Sequence, residues 1–160
     1  MKRTTVVAWI GLTVALVIGA TLLAQAKEPL SGTWKLNVAK SKFSPGPASK
    51  SGTSKWEVTQ DSVRLTVDTV PASGEPIHYE ASGKFDGKDN PIKGNNPDGD
   101  SVAFSKIDSH TYEAVNKKGG QITITGRIVV AADGKTRVTT QTGKNGKGET
   151  VHNTLSYEKQ

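Results

Sequence analysis

Along almost the whole chain after Ser31, apolar residues recur at every second position in short runs. Period two is the spacing of a strand with one dry and one wet face, because successive side chains point to opposite sides. Trp56 and Val58 share one parity, then Val63, Leu65 and Val67, then Ile77, Tyr79, Ala81 and Phe85. Val102 with Phe104 and Tyr112 with Ala114 come next. Ile122, Ile124, Ile128 and Val130 make the longest series, and Val151, Leu155 and Tyr157 close the chain. Around Val138 the pattern fades into Thr and Gln, which predicts an edge strand or a strand with a polar inner face. No sustained 3.6-residue stripe follows residue 27; the best helix candidate is one short turn near Val38 to Phe43.

Asp86-Gly87, Asp98-Gly99, Gly119-Gly120, Asp133-Gly134 and Asn145-Gly146 stand between the runs. Such pairs tolerate positive φ and predict tight hairpins, whereas Pro71 to Pro76 and Asn95 to Pro97 predict longer connections. The Asp/Asn-Gly-Lys triplets at Asp86, Asp133 and Asn145 are one turn chemistry reused, since the flanking strands have no fixed period. A meander this long must hide its edges, and closure does so fully. The expectation is an all-β domain over residues 27–160: an antiparallel up-and-down β-barrel of eight to ten strands, with a sandwich second.

Residues 1–26 are of another kind. Lys2 and Arg3 precede an uncharged run from Thr4 to Ala24, which ends in Ala24-Gln25-Ala26. Basic start, apolar centre and small-x-small site predict a signal helix for the Sec route, cut after Ala26. An uncleaved anchor competes, because ~18–20 apolar residues span a bilayer. Either way residues 27–160 are expected outside the cytoplasm, periplasmic or secreted. Membrane contact is then expected only through an uncleaved leader.

The split changes the composition. The whole chain is 34% hydrophobic, but without the leader the share falls to about 28%, low beside the usual ~45–50% counted with Gly. Cysteine is absent, which excludes disulfide scaffolds, thiolate zinc sites and thiol nucleophiles. The net charge of +6 becomes +4 over residues 27–160, with 19 basic and 15 acidic residues. The lysines are scattered through turns, so no patch of the kind nucleic acid requires is expected.

The first strand reads Ser31-Gly32-Thr33-Trp34-Lys35-Leu36-Asn37. A Gly-x-Trp on the first strand of such a meander resembles the lipocalin and fatty-acid-binding-protein superfamily, the calycins. The resemblance implies that Trp34 packs across the closed end of a barrel and that Gly32 permits the tight bend before it. Ala39-Lys40-Ser41-Lys42-Phe43-Ser44-Pro45-Gly46, Phe85-Asp86-Gly87-Lys88-Asp89 and the ending Tyr157-Glu158-Lys159-Gln160 are similar to small bacterial lipocalin-like exported proteins of unassigned function. That likeness covers nearly all of residues 30–160. Lipocalins carry an Arg on the last strand that stacks on the Trp, and fatty-acid-binding proteins an Arg-x-Tyr that holds a carboxylate. Here the last strand is Thr154-Leu155-Ser156-Tyr157, without that Arg, so a fatty-acid clamp is not carried over.

Alternation turns His78 and His152 outward and leaves His110 in a turn, which offers no metal cluster. No Gly-x-Ser-x-Gly elbow exists. Asp98-Gly99-Asp100 beside Asn95 and Asn96 lacks the spacing of a calcium loop, and Asp86 with Asp89 flanks an exposed turn. No catalytic residue, metal or cofactor is therefore expected. The informative set is aromatic: Trp34, Trp56, Tyr79, Phe85, Phe104, Tyr112 and Tyr157 share parity with apolar neighbours. They either fill a small core or line a pocket in which the tyrosine hydroxyls orient a ligand. So few apolar residues favour a small, partly polar pocket. The expected function is an exported, non-enzymatic barrel that binds a small, moderately hydrophobic or amphipathic molecule. The alternative is a solid-cored interaction module of the cell envelope.

Overall fold

The computed structural model describes residues 27–160, so the expected signal helix lies outside the described residues. Ten strands follow in chain order: β1 (Gly32–Lys42), β2 (Ser51–Val58), β3 (Val63–Val70), β4 (Ile77–Gly83) and β5 (Asp86–Gly94), then β6 (Ser101–Lys106), β7 (Thr111–Lys118), β8 (Gln121–Val130), β9 (Thr136–Lys144) and β10 (Thr150–Lys159). Each pairs antiparallel with its neighbours in sequence, and β1 also pairs with β10, which closes the sheet. The meander is a closed ten-stranded barrel without a helix among the described residues.

Bulges account for three departures from the sequence pattern. The short helical turn expected near Val38 to Phe43 is instead part of β1, which runs through Lys42. Its pairing with β10 shifts between Asn37 and Lys42. Inside that irregularity the Lys40 amide donates to Asn37 Oδ1 and the Ser41 hydroxyl to the Asn37 carbonyl, so turn-like bonds sit within a strand. Ile122 likewise leaves the inward series. The β7–β8 ladder shifts between Val115 and Lys117, Ile122 pairs with Lys117, and it is 64% exposed. Asp86-Gly87 lies in β5 rather than at a hairpin tip, with Gly87 at φ +72° next to a shift between Asp86 and Asp89. An extra residue re-aims the side chains beyond it.

The two ends of the barrel differ. At one end lie the short β2–β3, β4–β5, β6–β7 and β8–β9 connections and the segment before β1. Here Trp34, Trp56, Val63, Leu65, Phe104, Tyr112, Ile128 and Val130 pack together, each almost free of solvent. Fully burying side chains of this size is worth roughly 1.5–3 kcal/mol apiece, which explains how few apolar residues suffice. Leu30 plugs this end: it is completely buried, and its carbonyl accepts a hydrogen bond from Trp34 Nε1 at 2.8 Å. Trp34 thus seals the closed end, as the Gly32-x-Trp34 motif implies. The opposite end carries the connections over residues 43–50, 71–76, 95–100, 119–120 and 145–149.

β9 sits between β8 and β10, so it is not an edge. Its inward residues are Arg137, Thr139 and Gln141, while Val138 faces out and is exposed. The faded pattern around Val138 therefore marks a polar-lined strand.

Candidate functional site

The inward side chains fall into two levels. Those of the closed half are buried, whereas Val67, Tyr79, Asn116, Gln141, Asn153 and Tyr157 on the open side are all only partly buried. Cross-strand pairing keeps this upper set on the inner wall: Val67 opposes Tyr79 and Ser54, and Gln141 opposes Asn153. Asn153 Nδ2 donates to Gln141 Oε1 at 3.0 Å. The upper lumen is mixed, because these polar side chains sit among the inward and buried Val102, Ile124 and Val151, while the lower lumen is wholly packed.

Arg137 stands at the boundary. It pairs with Tyr157 and Val130 in the ladders, is 4% exposed, and extends past β10 and β1 to β2. Its Nη1 donates to Thr139 Oγ1 at 2.6 Å and its Nη2 to Ser54 Oγ at 2.5 Å. The guanidinium carbon lies 3.9 Å from the Tyr157 ring centroid and 5.4 Å from that of Trp34. Cation–π attraction of this kind offsets part of the cost of taking a cation out of water. Burial still lowers the Arg137 pKa to about 10, against which the neighbouring Tyr157 hydroxyl acts. At neutral pH the group keeps its charge. Among the described residues no carboxylate forms an ion pair with it, because the acids in ion pairs engage other cations. Its Nε has no hydrogen-bond partner, and the same is true of the buried Trp56 Nε1. Two orphaned donors in one barrel interior are unusual, since most buried polar groups are satisfied.

The seven aromatics sort between these levels. Trp34, Trp56, Phe104 and Tyr112 fill the closed half, with Trp56 edge-on to Phe104 at 5.9 Å. Phe85 packs beside them, 5.6 Å from Tyr112 and 6.5 Å from Phe104. The Tyr112 hydroxyl points to the sealed end, donating to Glu28 and to the Ser109 carbonyl. Only Tyr79 and Tyr157 belong to the upper lumen. Burial pushes the Tyr79 hydroxyl well above its ordinary pKa, reinforced by Tyr157 and Asp98. Burial also raises Tyr157, with Arg137 opposing it.

Residues 95–100 fold across the open end. Asp98 Oδ1 accepts the Gly146 amide at 2.8 Å, and the Asp98 carbonyl accepts the Thr123 hydroxyl. Asp100 Oδ2 holds the Gly119 amide, and Lys118 Nζ reaches the Pro97 carbonyl. This strap ties the β5–β6 connection to the β7–β8 and β9–β10 turns. Two shallow clefts open elsewhere, one of about 470 Å³ beside Asn37 and Glu158 and one of about 510 Å³ beside Ile122 and His152. Neither includes Arg137 or the upper tyrosines.

His78 and His152 are exposed on the outer wall, and His78 Nδ1 lies 2.7 Å from Asp68. Asp89 pairs with Lys117 rather than with Asp86. Arg137 is the residue that sequence reasoning missed. The signal was present in Arg137-Val138-Thr139-Thr140-Gln141, where the parity opposite Val138 is wholly polar.

The sequence matches no family model and no curated protein. Among solved structures it is similar to a redesigned beta barrel, with a TM-score of 0.51 at 13% identity over 86% of this chain and 97% of the other. That likeness concerns the closed barrel fold.

Proposed function

We propose that the barrel is a non-enzymatic, exported binding protein that takes a small amphipathic molecule into its upper lumen. The observation that carries this reading is the mixed lining of the upper interior, where the partly exposed Tyr79, Tyr157, Gln141 and Asn153 sit among the buried Val102, Ile124 and Val151. Binding sites of this type combine an apolar floor with a few placed polar groups. Relation to the calycins is part of the proposal. It is supported by Trp34 at the sealed end and by Arg137, which packs on it from β9 in place of the last strand's missing arginine.

The test is native mass spectrometry of protein purified from its own host, beside a Val67→Trp variant that fills the upper lumen. Co-bound mass in the wild type and its loss in the variant are the expected results. If the wild type emerges bare and no metabolite library shifts its melting temperature, small-molecule binding is rejected. The solid-cored interaction module then takes its place, with the exposed Ile107, Val129 and Val138 as its first surface to probe.

A further inference from the structure

We infer that Asn145-Gly146 is a latent self-deamidation site and that the strap over residues 95–100 is its guard. This stands apart from the lumen reading and concerns the turn between β9 and β10. Of the asparagines in the chain, only Asn145 precedes a glycine, where no Cβ hinders closure of a five-membered ring onto the side chain. In that reaction the Gly146 nitrogen gives its proton to solvent and attacks Asn145 Cγ. A bond from Gly146 N to Cγ forms, the Cγ–Nδ2 bond breaks, and Nδ2 leaves as ammonia with a proton from water. Water then adds to one of the two carbonyls of the succinimide and opens it to aspartate or isoaspartate. Water is the sole co-reactant.

The structure holds both reacting groups away from this course. Asp98 Oδ1 accepts the Gly146 amide at 2.8 Å, so that N–H is committed to the strap, and the adjacent negative charge opposes loss of its proton. The Pro97 carbonyl lies where a Cβ on Gly146 would stand, which pins the backbone of the attacking residue. The Asn145 amide is held at both ends. Its Nδ2 donates to Glu149 Oε2 at 2.7 Å, and its Oδ1 accepts the Lys147 and Glu149 amides at 3.0 and 2.9 Å. Ring closure must turn that amide and free the nitrogen, so it waits on opening of strap and turn. These bonds lie at the surface, where local opening costs far less than global unfolding.

The product cannot be locked again. Loss of Nδ2 removes the donor to Glu149 and sets a carboxylate against it, so like charges replace a hydrogen bond. Isoaspartate also lengthens the turn backbone by a methylene. Strap opening is thereby written as a one-way covalent change at the open end of the barrel.

The experiment incubates folded protein at mildly alkaline pH and follows the peptide containing Asn145 by mass spectrometry, with methyltransferase labelling of isoaspartate. Asp98→Ala frees the nitrogen and Glu149→Ala frees Nδ2. Each is expected to speed conversion roughly 3- to 10-fold, the net worth of one hydrogen bond. Fully urea-unfolded wild type should convert faster than folded wild type, and Asn145→Ser should lose the signal. Conversion in Asp98→Ala no faster than in the wild type overturns the guard role. Conversion at other asparagines, or none even in the unfolded chain, overturns the site itself. Should Asp98→Ala not fold, wild type in mild urea decides the matter: conversion should rise in step with Gly146 amide exchange, and conversion that ignores it overturns the guard.

Discussion

Glu28 accepts a hydrogen bond from the Tyr112 hydroxyl at 3.0 Å, joining the segment before β1 to a strand 84 residues away. The same carboxylate receives Lys106 Nζ at 2.8 Å on each oxygen. The segment before β1 is fastened over the sealed end by a three-group cluster.

That cluster has a defined pH response. The Lys106 hydrogen bond, aided by Tyr112, holds the Glu28 carboxyl below its ordinary value of 4.5 despite partial burial. A depressed carboxylate stabilises the fold above its unfolded pKa, and the contribution fades as pH falls through the folded one. Glu28→Gln is expected to cost about 0.5–1 kcal/mol at pH 7, the range of a partly exposed pair. Urea unfolding should show that difference at pH 7 and its loss as the pH falls through the folded Glu28 pKa. A difference unchanged throughout the acid range would show that packing, not charge, makes the contribution.

Trp34→Ala should be among the costliest substitutions, losing ~3–5 kcal/mol as a large aromatic leaves a cavity. Trp34→Phe keeps most of the volume but loses the bond to the Leu30 carbonyl, and about 1–3 kcal/mol is expected. Chemical denaturation measures both. A near-neutral Trp34→Ala would refute its role in sealing the barrel.

Gly94 and Gly74 form a matched pair, both at positive φ, +112° and +92°. A Cβ at Gly94 would collide with the His78 carbonyl and the Tyr79 Cα, whereas one at Gly74 meets open space. Gly74→Ala is expected to cost only the backbone term, ~1–2 kcal/mol. Gly94→Ala should exceed it by at least about 1 kcal/mol. Equal losses in parallel urea melts would contradict the close approach of β4 and β5.

The strap over residues 95–100 should open independently of the rest. Asp98→Ala removes the acceptor for the Gly146 amide. Hydrogen exchange at Gly146 should quicken while global stability moves by less than about 1 kcal/mol. Unchanged exchange would mean that the strap is held by other contacts.

The fold was legible because period two survives in every strand with an apolar inner face. Val63, Leu65 and Ala81 are inward and buried where alternation puts them. Bulges are the first reason for the misses. Ile122 obeys parity in sequence, but one extra residue in the ladder turns it out. Chemistry is the second. Hydrophobic parity cannot flag an inward Arg, because its burial is made tolerable by Ser54 and Trp34, distant in sequence. Glu28 and Leu30 were invisible for a related reason: they precede the first alternating run and gain meaning only once the barrel exists to be plugged. All seven aromatics belong to the core or pack against it, and only geometry separates Tyr79 and Tyr157 from the five that pack the closed half.

Pairing of β1 with β10 has a consequence for how the chain acquires its structure. Trp34 faces Lys159 across that seam, so the closing ladder joins the two most distant strands. Loop closure over such a separation is slow, and until residues 150–159 arrive β1 and β9 each present an unpaired edge. An incomplete chain is thus an open sheet with two adhesive rims. Shortening the C-terminus by one strand should yield aggregates or strand-swapped pairs rather than a smaller barrel.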